Sequence, residues 1–211
     1  RRDAGPGRIP AGRGGGVSAM KLALVTDAWA PQLNGVVRTL QAVTALLKRW
    51  GHEVLVISPD QYVSVPCPSY PEIRLALGRR IGARIEAVAP DAVHIATEGP
   101  LGLAARRHCL ARGRSFTTAY HTQFPDYVAR RTRLPAAMFW AYIRWFHRPS
   151  SGIMVATESV RRDLRAHGLT RLREWSRGVD LETFGPGIAP PERFRHLPRP
   201  IQLYVGRVAV E

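Results

Sequence analysis

From Lys21 onward, short apolar runs alternate with longer segments whose apolar residues recur at helical spacing, and this alternation constrains the fold more than any other feature. Lys21 to Thr26 is an apolar run ending in Asp27, the pattern of a strand buried in a parallel sheet. Val36, Leu40, Val43, Leu47 and Trp50 fall on one helical face. That helix carries Lys48 and Arg49 in its last turn and Gly51 beyond it, a stop signal. Glu53 to Ile57 closes a first βαβ unit. A Pro-rich loop precedes strand-like Glu72 to Leu77, and Ile81, Ile85 and Val88 mark a further helix. Strands follow at Asp91–Ala96, Ser115–Tyr120, Gly152–Ala156 and Leu172–Ser176, with helices at Pro100–Arg112, Pro135–His147 and Ser159–His167. The order predicts an α/β fold, a doubly wound parallel sheet with helices on both faces.

The two ends break the pattern. Residues 1–19 are Gly/Arg-rich with nothing to bury and are expected to form a disordered tail, with Met20 as the natural start. Residues 185–200 hold five prolines and read as an interdomain linker after a domain spanning 20–184. Ile201 to Val205 has strand character, so 201–211 reads as the first strand of a second domain that the chain breaks off. With 45% hydrophobic residues in 211, wholesale disorder is excluded. The longest apolar-rich run, Leu134 to Phe146, is broken by Arg144 and falls short of the ~20 residues a membrane span needs.

The formal net charge is +15, and apart from Lys21 and Lys48 every basic residue is arginine. Heavy Arg, Ala, Gly and Pro usage fits a GC-rich genome, but the excess also favours anionic partners. Without residues 1–19 the charge is +12. No aromatic residues interleave with the tail arginines, which argues against a nucleic-acid segment. Cys67 and Cys109 form no CxxC and are expected to be free thiols of a cytoplasmic chain. His108, His147, His167 and His196 show no ligand spacing, so no metal site is expected. His94, inside a strand, reads as core.

Ligands of open α/β sheets bind outside the carboxyl ends of the strands. The first such loop runs from Asp27 to Asn34 and Gly35 at a helix entrance, where backbone can approach a phosphate; the plainer reading is a turn feeding the helix. After the third strong strand, Thr97 or Glu98 caps the next helix, or Glu98 accepts hydrogen bonds from substrate hydroxyls. After the fourth, His121 positions a substrate or is an ordinary loop histidine. Neither GxGxxG nor a Walker A motif is present, which argues against a dinucleotide site or an NTPase.

The strings TDAWAPQLNGVVRTL, YPEIRLAL, HIATEGPLG, FTTAYHTQFPDYVARR, WSRGVD and YVGRVAVE, in this order, resemble glycosyltransferase family 4, most closely its bacterial GDP-mannose-dependent α-mannosyltransferases. The resemblance implies the GT-B fold: two Rossmann-like domains, the N-terminal one facing the acceptor and the C-terminal one holding a nucleotide-sugar. Gly35, with Asn34, then lies in the glycine loop against the donor diphosphate. His121 matches a histidine that contacts the transferred sugar. Arg207 matches an arginine that neutralises the leaving diphosphate. Asp27, Glu98, Gly99 and Tyr120 are expected on the acceptor side, and Arg177 and Asp180 in a structural role near the domain junction.

The implied reaction transfers a hexose, mannose from GDP-mannose, to a lipid or glycan hydroxyl with retention of configuration. The donor is a substrate, and neither cofactor nor metal is expected. Cations and N–H donors aimed at the departing diphosphate are the largest expected catalytic contribution, and the two-carboxylate scheme of glycosidases does not carry over. Ending near Glu211, the chain is expected to be an acceptor-side half with negligible activity alone. The alternatives are a non-catalytic lipid- or glycan-binding module and a sulfolipid-type transferase using a UDP-sugar. The arginines and aromatics of 130–146 suggest a peripheral contact with an anionic membrane at its inner face. There, Met138, Phe139, Tyr142, Ile143 and Phe146 form a core stripe, while Trp140, Arg144 and Trp145 are left for headgroups.

Overall fold

A computed structural model of the chain describes residues 18–67, 70–121, 135–180, 183–185, 187, 189 and 191–205, without the side chains of 67 and 70–73. The first apolar run becomes β1 (Lys21–Val25), flanked by a strand on each side and buried from Ala23 onward. In chain order there follow α1 (Gly35–Arg49), β2 (Glu53–Ile57), β3 (Ser64–Cys67), β4 (Tyr70–Ala76), α2 (Ile81–Val88), β5 (Ala92–Ile95) and α3 (Pro100–Ala111). Then come β6 (Thr117–Tyr120), α4 (Ala136–His147), β7 (Gly152–Val155), α5 (Glu158–Ala166) and β8 (Leu172–Glu174). Six strands form one sheet in the order β2-β1-β5-β6-β7-β8, and every pairing in it is parallel. The architecture is Rossmann-like α/β.

Strand alternation decides which helix covers which face. Ala23 and Val25 of β1 and Val93 and Ile95 of β5 point to α2, α3 and Phe146 of α4. Leu22 and Leu24 point the opposite way, to Val36, Leu40 and Leu47 of α1. Ile153 and Val155 pack under Trp140 and Ile143 of α4 and Leu164 of α5. Helix α1 starts where expected: the Asn34 side chain accepts from the N–H groups of Val36 and Val37, 3.0 Å each.

Four sequence expectations need correction. Glu72–Leu77 does not join the parallel sheet; as β4 it pairs antiparallel with β3, a hairpin formed from what reads as a Pro-rich loop. Helix α1 packs through Val36, Leu40 and Leu47 as expected, with Val37 and Thr44 also buried, but Trp50, which caps the helix directly after Arg49, is 68% exposed. In α4, Trp140 is core at 4% exposure while Met138 is 49% exposed, so the stripe lies rotated from the expected one. A helix apolar around most of its circumference does not set its own phase, and Trp140 wins because it stacks on His167 at 3.5 Å and on Tyr120. Residues 201–205 form no strand, since no neighbour among the described residues takes their backbone groups. Among the described residues of the expected linker is a short 3-10 turn, Glu192–Phe194. The expected tail falls outside the described residues, apart from 18 and 19.

Candidate active site at the carboxyl edge of the sheet

Strand β1 lies between β2, its successor by way of α1, and β5, from which the sheet grows the other way, so the carboxyl ends of β1 and β5 form a topological switch point. Asp27 stands there. Its Oδ1 accepts from Leu101 N–H at 2.8 Å, and its Oδ2 accepts from Gly102 N–H at 3.2 Å and from the Thr97 hydroxyl at 2.8 Å. The carboxylate expected to contact the acceptor is thus engaged inside the fold, where Asp27 caps α3 from 70-odd residues away, at 7% exposure. Burial raises its carboxyl pKa against the pull of these three donors. The close approach requires small neighbours. A Cβ on Gly99 would stand 2.4 Å from the Asp27 carboxylate carbon, and one on Gly102 would stand 2.0 Å from the Thr97 carbonyl oxygen.

Glu98 follows β5 and turns its Oε1 to within 3.1 Å of His147 Nε2, a buried side chain at the end of α4. The other imidazole nitrogen of His147 lies 2.8 Å from the Thr118 hydroxyl, and the Tyr142 hydroxyl donates to the Glu98 carbonyl. Burial, reinforced by the negative charges of Glu98 and Asp27, pushes the Tyr142 phenol up to about 12. The Glu98 side chain keeps 25% of its surface exposed. Tyr120, also expected on the acceptor side, is buried under α4 between Trp140 and His147. It shapes the wall rather than facing the cleft.

His121, at the end of β6, does reach the edge. Its ring is tilted against Trp175 with centroids 5.6 Å apart, and its Nε2 is buried with no hydrogen-bond partner among the described residues. Burial moves its pKa down to about 4; the Arg177 charge adds to this and Glu98 opposes it. His94 meets the same indole edge-on at 5.6 Å and is likewise pushed down to about 4 by burial, with His121 contributing. Both imidazoles are therefore neutral at pH 7.

Asn34 and Gly35 form the α1 entrance, and an added Cβ on Gly35 would lie 3.2 Å from Arg177 Nη1. Among the described residues Arg177 makes no hydrogen bond and no ion pair. A guanidinium unpaired among the described residues, a helix entrance where Gly35 itself carries no side chain and a neutral imidazole thus share one edge. Together they suit an anion attached to a polyhydroxyl group. Arg207 lies outside the described residues. Among the described residues no cluster of three metal-ligating side chains occurs, and no helix is long and apolar enough to cross a membrane.

Sequence reasoning passed over His147, whose partner lies 49 positions away, and Trp175. Arg177, expected in a structural role, stands beside Gly35, in the string WSRGVD that also holds Trp175.

Residues 33–183 match the model of Glycosyltransferase Family 4, and the chain belongs to that family. It is 31% identical to a GDP-mannose-dependent alpha-mannosyltransferase of Mycolicibacterium smegmatis and 29% identical to one of Mycobacterium tuberculosis, in each case over 91% of this chain and 57% of the relative. A sulfoquinovosyl transferase of Arabidopsis thaliana is 29% identical over 85% of this chain and 40% of that protein. The chain thus spans little more than half the length of these mannosyltransferases.

Proposed function

We propose that the chain is the acceptor-side part of a retaining glycosyltransferase that moves mannose from GDP-mannose to a hydroxyl of a lipid or glycan at the inner face of the cell membrane. What carries the reading is the convergence of His121, Gly35 and Arg177 at the switch-point edge of a family 4 chain. As the glycosidic bond to the nucleotide breaks, negative charge gathers on the leaving diphosphate. The α1 N-terminus and Arg177 supply fixed positive potential to it, and Gly35 leaves room for the phosphate oxygens. Arg207 adds a second guanidinium.

Neutral His121 exchanges a hydrogen bond with a hydroxyl of the transferred sugar, and its buried Nε2 has no competing partner among the described residues. Glu98, held by His147 and partly exposed, orients the acceptor hydroxyl, while Asp27 and Gly99 fix the loop that carries it. Asp27 and Tyr120 therefore act on the acceptor through the wall they build. No cofactor or metal is required.

The test is label transfer to a membrane-lipid extract from GDP-mannose and from UDP-sugars. It is run with this chain alone and with this chain joined to the C-terminal half of the Mycolicibacterium smegmatis relative. Mannose incorporation in the joined protein, lost on His121→Ala, is the expected result. Incorporation from a UDP-sugar alone replaces the donor assignment with the sulfolipid-type alternative. Transfer by this chain alone at the joined protein's rate overturns the half-enzyme reading.

A further inference from the structure

A cavity of about 810 Å³ lies away from the carboxyl edge, where the chain enters β7 and β8. Four arginines from four separate segments line it: Arg106 of α3, Arg144 of α4, Arg148 between α4 and β7, and Arg171 just before β8. No carboxylate lines it, and none of the four has an ion-pair partner among the described residues. Arg106 is 7% exposed. Its Nε donates to the Phe146 carbonyl at 3.0 Å and its Nη2 to the Trp145 carbonyl at 2.7 Å. Arg171 Nη1 donates to the Ser150 carbonyl at 3.0 Å. Carbonyls take some of the donors of these two but leave their charge uncompensated, which is costly for Arg106, the buried one of the pair. Arg144 and Arg148 are exposed and make no side-chain hydrogen bond among the described residues. Trp145, 51% exposed, carries the Arg106 guanidinium 3.8 Å from its ring centroid, and Pro149 and Leu169 complete an apolar wall.

Four like charges gathered into one concavity repel each other, and a polyanion bound there removes the repulsion. Guanidinium forks match phosphate oxygens two at a time. We infer that this cavity is a second anion site, separate from the catalytic edge, that binds a phosphate group whose apolar or planar remainder lies against Trp145, Pro149 and Leu169. It does not rest on the transferase reading. The phosphate belongs either to a lipid headgroup or to a soluble ligand.

Binding to the full 211-residue chain is measured calorimetrically with inorganic pyrophosphate. In parallel the chain is co-sedimented with phosphatidylcholine vesicles with and without phosphatidic acid. Each probe is applied to wild type, R144Q/R148Q and R177Q, the last removing the guanidinium at the other edge. The double variant changes two exposed side chains with no partners among the described residues, so its thermal melt is expected to match wild type. Pyrophosphate binding weakened about tenfold or more in R144Q/R148Q and kept in R177Q bears out the site and a soluble ligand. Phosphatidic-acid-dependent sedimentation lost in R144Q/R148Q and kept in R177Q bears out the site and a lipid headgroup. Wild type that binds neither probe, or a double variant that binds both as wild type does, overturns the inference. So does binding lost in R177Q instead.

Discussion

At the scale of single residues, the two histidines around Trp175 set the pH response. With pKa values of about 4 against an ordinary 6.5, His94 and His121 bind fewer protons folded than unfolded between those limits. Stability from both is therefore full above pH 6.5 and lost as pH falls through 6.5 towards 4. Buried His94 accounts for up to about 3 kcal/mol of this loss, and half-exposed His121 for less. Nuclear magnetic resonance titration of the imidazoles checks it: both resonances should move near pH 4, not 6.5. His121→Asn should narrow the pH dependence of the urea midpoint. His121 was legible as a candidate because it follows a strand directly. The burial that keeps it neutral was not, since Trp175 stands 54 positions later.

At the scale of elements, the α3 entrance is the most tightly specified join in the protein. Asp27→Ala leaves two buried N–H groups and a hydroxyl without their acceptor and should cost about 2–4 kcal/mol in urea unfolding. Asp27→Asn, which keeps one carbonyl oxygen, should lose less. Two glycines give opposite outcomes. Gly102→Ala drives a Cβ into backbone at 2.0 Å and should destabilise by about 3 kcal/mol or prevent folding. Gly35→Ala meets only the far end of Arg177 at 3.2 Å, so its melting temperature should hold while donor binding weakens. The start of α1 could be read from Asn34 and its end from Lys48 and Arg49, because caps are local chemistry. The phase of α4 could not, because a helix with apolar residues nearly all round takes its orientation from its neighbours. The β3–β4 hairpin was hidden because its first strand contains Pro66, which reads as loop.

At the scale of the whole molecule, the parallel sheet and its helix layers follow from the alternation of periods, which persists over the domain. The anion cavity does not, since its arginines come from four segments that only the folded chain assembles. Cys109 reports on the integrity of that whole. It is fully buried, and burial holds its thiol up to about 11. In a Cys67→Ser background, its labelling by a thiol reagent should follow the global unfolding rate and not rise in mild denaturant. Strand order carries a further consequence, one of timing. The carboxylate of Asp27 is made first, and the groups it caps, Thr97, Leu101 and Gly102, follow some 70 to 75 residues later. The carboxyl edge of β1 therefore cannot reach its final form on a ribosome until β5 and the first turn of α3 are free to pair with it.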